Sequence, residues 1–74
     1  MPTEVIADTE NIYIELDEGA ETILLAYETS TTEQQIHDAW NTVNEFGYNW
    51  VREEFFDADW NRYVAVCVKE KPNE

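Results

Sequence analysis

The sequence predicts an α+β domain of two layers, a four-stranded, mainly antiparallel sheet with one helix on one face, in the order β-β-α-β-β. Three features predict it. An alternating stretch and a mainly apolar one flank a glycine-containing turn, one apolar stripe runs at helical spacing, and two aromatic and β-branched runs flank an acidic turn. No internal repeat or Pro/Gly/Ser-rich linker divides the 74 residues. Residues 1–74 therefore read as one domain, with an ordered core over about 8–70.

Asn11 to Asp17 alternates, with Ile12, Ile14 and Leu16 on one side and Asn11, Tyr13, Glu15 and Asp17 on the other. Glu18-Gly19-Ala20 is a turn signal. Glu21 to Glu28 follows as a second strand, with Ile23, Leu25 and Tyr27 opposite Thr22, Leu24, Ala26 and Glu28. Together they predict an antiparallel hairpin. Ser30-Thr31-Thr32-Glu33 fits a capping box with Ser30 as N-cap and Glu33 reaching back. Behind it Ile36, Ala39, Trp40, Val43 and Phe46 form one helical stripe, backed by Gln34, His37, Asp38, Asn41, Asn44 and Glu45. Gly47 is placed to end the helix in a left-handed conformation. Tyr48 to Phe56 reads as a third strand, Asp57-Ala58-Asp59 as a turn, and Trp60 to Lys69 as a fourth strand. A helix of about 16 residues spans some 24 Å and covers one sheet face. The other face is expected to carry part of Tyr13, Leu24, Tyr48, Trp50, Phe56 and Tyr63, more aromatic surface than a monomer normally leaves wet. A second copy or a partner is the expected cover.

Little in the chain points to bond-making chemistry. His37 falls on the polar helix face and Cys67 within a strand, and their spacing suggests no catalytic pair. Glu53 and Glu54 are adjacent on a strand and point to opposite faces. Asp57-x-Asp59 opens like a calcium loop but lacks the later glycine and glutamate. There is no glycine-rich phosphate loop. The expectation is a protein that is not an enzyme and uses no cofactor or metal. A lone cysteine permits no internal disulfide. The longest apolar run, Ile23 to Tyr27, is far short of the roughly 18 residues of a membrane helix. Met1-Pro2-Thr3-Glu4 lacks the order of a signal peptide, so the expected location is the cytoplasm.

The charge is the most informative property. Seventeen Asp and Glu face four Lys and Arg, for a net charge of -13 and a pI near 4.1. Such a surface excludes direct binding to DNA, RNA or an anionic membrane. At 43% hydrophobic and 14% aromatic, the chain is not a disordered acidic tail. The acids are also unevenly placed. Residues 1–51 hold eleven of them and no lysine or arginine, whereas Arg52, Arg62, Lys69 and Lys71 all lie in the last 23 residues. Uncompensated like charge opposes folding in a small domain, which makes it a candidate binding surface. Glu10, Glu15, Asp17, Glu18, Glu21, Glu28, Glu33, Asp38 and Glu45 form the candidate acidic surface. Tyr13, Tyr48, Trp50, Trp60 and Tyr63 are candidate aromatic anchors or a dimer face.

In size, acidity and compact α/β build, the whole chain resembles small phage-encoded proteins that block host nucleic-acid-binding proteins. Uracil-DNA glycosylase inhibitors, several anti-CRISPR proteins and inhibitors of nucleoid-associated proteins belong to that class. The resemblance rests on composition and layout, with no signature motif, and brings no family site residues with it. It implies a DNA mimic that occupies the nucleic-acid site of a basic DNA- or RNA-binding protein in the host bacterial cytoplasm. Two other readings stay open. One is a small homodimeric regulatory or assembly module whose acidity serves solubility. The other is a halophile's cytosolic domain, which the ten aromatic residues and the excess of glutamate over aspartate fit less well.

Overall fold

The computed structural model describes residues 3–71. The chain runs β1 (Thr3–Asp8), β2 (Ile12–Asp17), β3 (Thr22–Glu28), α1 (Glu33–Glu45), β4 (Trp50–Asp57) and β5 (Arg62–Val68). The class is α+β with one helix, as expected, but the sheet has five strands in the order β1-β2-β3-β5-β4. Every neighbouring pair is antiparallel.

The additional strand, β1, pairs with β2, and its register shifts between Val5 and Ala7. The bulge leaves Ile6 and Ala7, adjacent in sequence, both packed against the core. That irregularity breaks the period of two by which strands are recognised, and it is why the sequence pattern does not reveal β1. The other strand boundaries fall close to expectation, except that β4 begins at Trp50 rather than Tyr48 and β5 at Arg62 rather than Trp60.

The helix is shorter than expected, with 13 residues spanning about 20 Å. Its N-cap is Thr32 and not Ser30. Gln35 donates its backbone N–H to Thr32 Oγ1 at 3.2 Å, and Thr32 donates its own N–H to Gln35 Oε1 at 3.1 Å. The capping box is thus real but displaced by two residues, because Thr31-Thr32 offers a second hydroxyl with a side-chain carbonyl three positions on. Gly47 ends the helix at φ +89°, as expected.

One core lies between α1 and the sheet. Ile12, Ile14 and Leu16 of β2, Ile23 and Leu25 of β3, and Ala65 and Cys67 of β5 meet Ala39 and Val43 of α1. Alternation along each strand puts all seven strand residues on the helix side. Tyr48 joins this core at 4% exposure, so it is not on the open face. Phe56 and Tyr63 also lie on the helix side, since Tyr63 shares a face of β5 with Ala65 and Cys67 and pairs with Phe56 of β4. α1 packs on β2 and β3, leaving much of the helix side of β4 uncovered. No helix among the described residues is long and apolar enough to cross a membrane.

The two tight hairpins share one construction. Asp17 and Asp57 each close a strand, and their Oδ1 atoms accept backbone N–H groups from Ala20 at 3.0 Å, and from Asp59 at 3.0 Å and Trp60 at 3.1 Å. Four residues after each aspartate, Glu21 and Asn61 adopt left-handed conformations, at φ +55° and +60°. The Asp57-Ala58-Asp59 turn is present as expected, with the Asp57 carboxylate committed to the backbone.

Candidate protein-binding interface

The open face of the sheet is built by register. Across it, Asp8, Tyr13, Ala26, Val64 and Phe55 form one row, and Val5, Glu15, Leu24, Val66 and Glu53 the next. Asp17, Thr22, Val68 and Trp50 form a third row, and Glu28, Arg62 and Asp57 a fourth at the opposite end. Carboxylates therefore stand on β2 (Glu15 and Asp17) and on β4 (Glu53 and Asp57), with an apolar band from β3 and β5 between them. Three strand spacings separate the two lines, about 14 Å.

The apolar band is partly roofed. Ala26 and Val64 are buried at 0% and 3% exposure yet stand apart from the main core. Trp60 reaches back from the β4–β5 turn to meet the Tyr13 ring of β2 edge to face, 5.3 Å between centroids. The contact bridges β2 and the β4–β5 turn across β3 and β5. The Arg62 guanidinium lies 5.2 Å from the Trp60 ring centre and adds a cation–π contact. Sequence reasoning named Tyr13 and Trp60 as separate anchors and missed that they close on each other. Phe55 and Val5, both exposed on this face, were also missed.

Electrostatically the surface is almost wholly uncompensated. Among the described residues there is one ion pair, Arg62 to Glu28 at 3.7 Å. Arg62 also donates to the Glu10 carbonyl at 3.1 Å. Lys69 lies over the Tyr48 ring and Lys71 over Trp50, at 5.3 and 5.7 Å from the ring centres. Tyr13 donates its hydroxyl to Glu15 Oε1 at 2.6 Å, which orients that carboxylate. The bond, with burial and the charges of Glu15 and Asp8, pushes the Tyr13 phenol up to about 12.

The nine acids singled out from the sequence do not share one surface. Glu15, Asp17 and Glu28 stand on the open face. Glu18 and Glu21 lie in the β2–β3 turn, and Glu10 in the β1–β2 loop. Glu33, Asp38 and Glu45 occupy the exposed side of α1, in the opposite layer. Of the aromatic candidates, Tyr13, Trp50 and Trp60 belong to the open face, Tyr63 to the helix side and Tyr48 to the core.

Among the described residues, no three His, Cys, Asp or Glu side chains gather as a group that could hold a metal ion. Cys67 is fully buried, and burial first, then the charge of Glu54, pushes its thiol up to about 11, away from nucleophilic use. His37 is exposed on the helix. Compared with known proteins, the chain matches no family model, no curated protein and no solved structure.

Proposed function

We propose that the chain is a DNA-mimic inhibitor that binds a basic nucleic-acid-binding protein and blocks its nucleic-acid site. The observation that carries this reading is the pair of carboxylate lines on the open sheet face, about 14 Å apart across an apolar band. B-DNA presents phosphates on either side of a major groove about 12 Å wide. Glu15 and Asp17, two residues apart on one face of β2, are spaced by about 6.8 Å, comparable to the through-space separation of neighbouring phosphates on one strand, which exceeds their axial rise of ~3.4 Å. A basic cleft that fits the one fits the other.

The energetics agree. Seventeen acids with a single described ion pair repel one another, and Glu45 in the last turn of α1 opposes the helix dipole. Carboxylates placed against stability are explained by a partner. Trp50, Phe55 and Trp60, each more than a third exposed, supply apolar contacts beside the charge. The decisive experiment is capture from a bacterial lysate on the immobilised chain at low salt, followed by elution with duplex DNA. The reading requires a DNA- or RNA-binding protein that DNA displaces and salt releases. Recovery of none refutes it.

A second reading has its own observation. Seven of the eight residues of β4 are exposed along the sheet edge, including Trp50, Val51, Phe55 and Phe56. A homodimer formed through that surface would cover them, with acidity serving only solubility. Such a dimer also doubles a charge of -13 within one particle, so its stability should rise with salt, opposite to the first reading.

A further inference from the structure

On the helix side of the sheet, between α1 and the uncovered part of β4, lies a recess of about 220 Å³ whose lining includes Tyr27, Trp40, Glu54, Phe56, Tyr63 and Ala65. We propose that this recess receives the guanidinium of an arginine side chain on the basic partner, an inference that rests on the function proposed above and supplies its anchor point.

Three elements build the recess. β3 contributes Tyr27, α1 contributes Trp40, and the β4–β5 hairpin contributes Glu54, Phe56 and Tyr63. The Tyr63 ring lies 5.6 Å from Tyr27, inclined by 39°, and 5.1 Å from Phe56, inclined by 66°. Rings at such angles form walls rather than a flat stack. Their π faces attract a cation, and the Glu54 carboxylate adds a full negative charge in the same place. That charge reaches the neighbouring phenol, since Tyr27 is pushed up by burial and then by Glu54. At about 30 Å³ per water, the volume holds several waters and so accommodates one cationic head.

Three of the chain's four cations are engaged elsewhere. Arg62, Lys69 and Lys71 lie over Trp60, Tyr48 and Trp50, and the one described ion pair uses Glu28. The recess thus combines four rings with a carboxylate that makes no ion pair among the described residues, in a molecule of net charge -13. Arginine fits better than lysine. Its guanidinium is planar, weakly hydrated and able to stack on a ring while binding a carboxylate through two N–H groups. The recess opens on the face opposite Glu15 and Asp17, so the partner must reach around the edge at β4 to use both.

The test titrates arginine amide, and separately lysine amide, into the full isotopically labelled chain. The Trp40 indole N–H and the resonances of Tyr27, Glu54 and Tyr63 report on the recess. Saturable shifts confined to these residues are expected. Binding should weaken about fivefold or more for lysine amide, for Glu54→Gln and for Tyr63→Leu. Glu15→Gln with Asp17→Asn, on the other face, should leave it unchanged. Shifts scattered over the acidic surface, or an equal response in Glu54→Gln, would overturn the proposal. Partner capture is a separate readout. A captured protein that binds Glu54→Gln and Tyr63→Leu as tightly as wild type does not dock in the recess. Failure to capture any such protein would remove the mimicry reading and leave the arginine titration standing.

Discussion

Tyr13 and Trp60 come from opposite halves of the chain, and their rings meet edge to face at 5.3 Å over the open side of the sheet. The contact joins β2 to the β4–β5 turn across two intervening strands, on the face where Ala26 and Val64 are buried. An edge-to-face pair contributes about 0.5–1.5 kcal/mol beyond area burial. Tyr13→Ala and Trp60→Ala should each destabilise the fold, and a double-mutant cycle by urea denaturation should give a coupling in that range. Strict additivity would mean that the rings touch without stabilising each other.

The same tyrosine makes stability depend on alkaline pH. Its phenol is pushed up to about 12 from 10.0, chiefly by its hydrogen bond to Glu15. The folded chain therefore keeps a proton that the unfolded chain has released. This contribution is complete below about 10 and is lost as pH rises through about 12. Cys67, pushed up to about 11 from 9.0, acts in the same direction beginning at lower pH. Urea midpoints should fall across this range, and Tyr13→Phe should flatten the upper part of the fall. Near neutral pH the folded thiol should resist alkylation, reacting only through opening of the core.

Two substitutions discriminate between neighbouring positions at the helix start. Thr32→Ala removes the hydroxyl that accepts from Gln35 and should cost about 1 kcal/mol, whereas Ser30→Ala should be nearly neutral. Melting temperatures measured side by side decide the matter. Equal losses would return the cap to Ser30.

At φ +55° Glu21 occupies a conformation that costs an ordinary residue roughly 1–2 kcal/mol, while its counterpart Asn61 is of a type that tolerates it. Glu21→Asn should stabilise the chain by up to about 1 kcal/mol in urea denaturation, with removal of one repelling charge acting in the same direction. A loss of stability would show that the Glu21 side chain has a role the turn geometry does not reveal.

The division of the acids between two layers gives a functional prediction. Glu15→Lys with Asp17→Lys should abolish capture of a nucleic-acid-binding partner, while Glu33→Lys with Asp38→Lys on α1 should weaken it only modestly. Affinity measured at two salt concentrations checks this, because loss of direct contacts also reduces the salt dependence. Comparable losses from both pairs would mean that the partner senses total charge and no particular face.

Elements with a clean period were legible in the sequence. β2 alternates without interruption, β3 is a short apolar run bounded by a turn, and α1 carries Ile36, Ala39, Trp40 and Val43 along one stripe, so their type follows directly. β1 was hidden by its bulge at Ile6, where two consecutive residues face the core. Tyr48 was misplaced because an aromatic just outside a strand looks like part of it, and only the helix overhead decides that it is buried. The charge imbalance was visible from composition. Its partition between layers was not, because it depends on which face α1 covers. The Tyr27–Tyr63–Phe56 cluster required β5 to lie between β3 and β4, a strand order that no local pattern encodes.

That order has a consequence for synthesis. β5 joins β3 to β4 yet follows both in the chain, so at about 5–20 residues per second a ribosome releases four strands and the helix before the strand that unites them. Until Ala65 and Cys67 arrive, Ile23 and Leu25 lack their neighbours on the adjacent strand. Nascent chains in that state would adhere to one another, but the segment already exposed carries eleven acids and no lysine or arginine before Arg52. The charge that penalises the finished fold would, by the same repulsion, oppose association of unfinished copies.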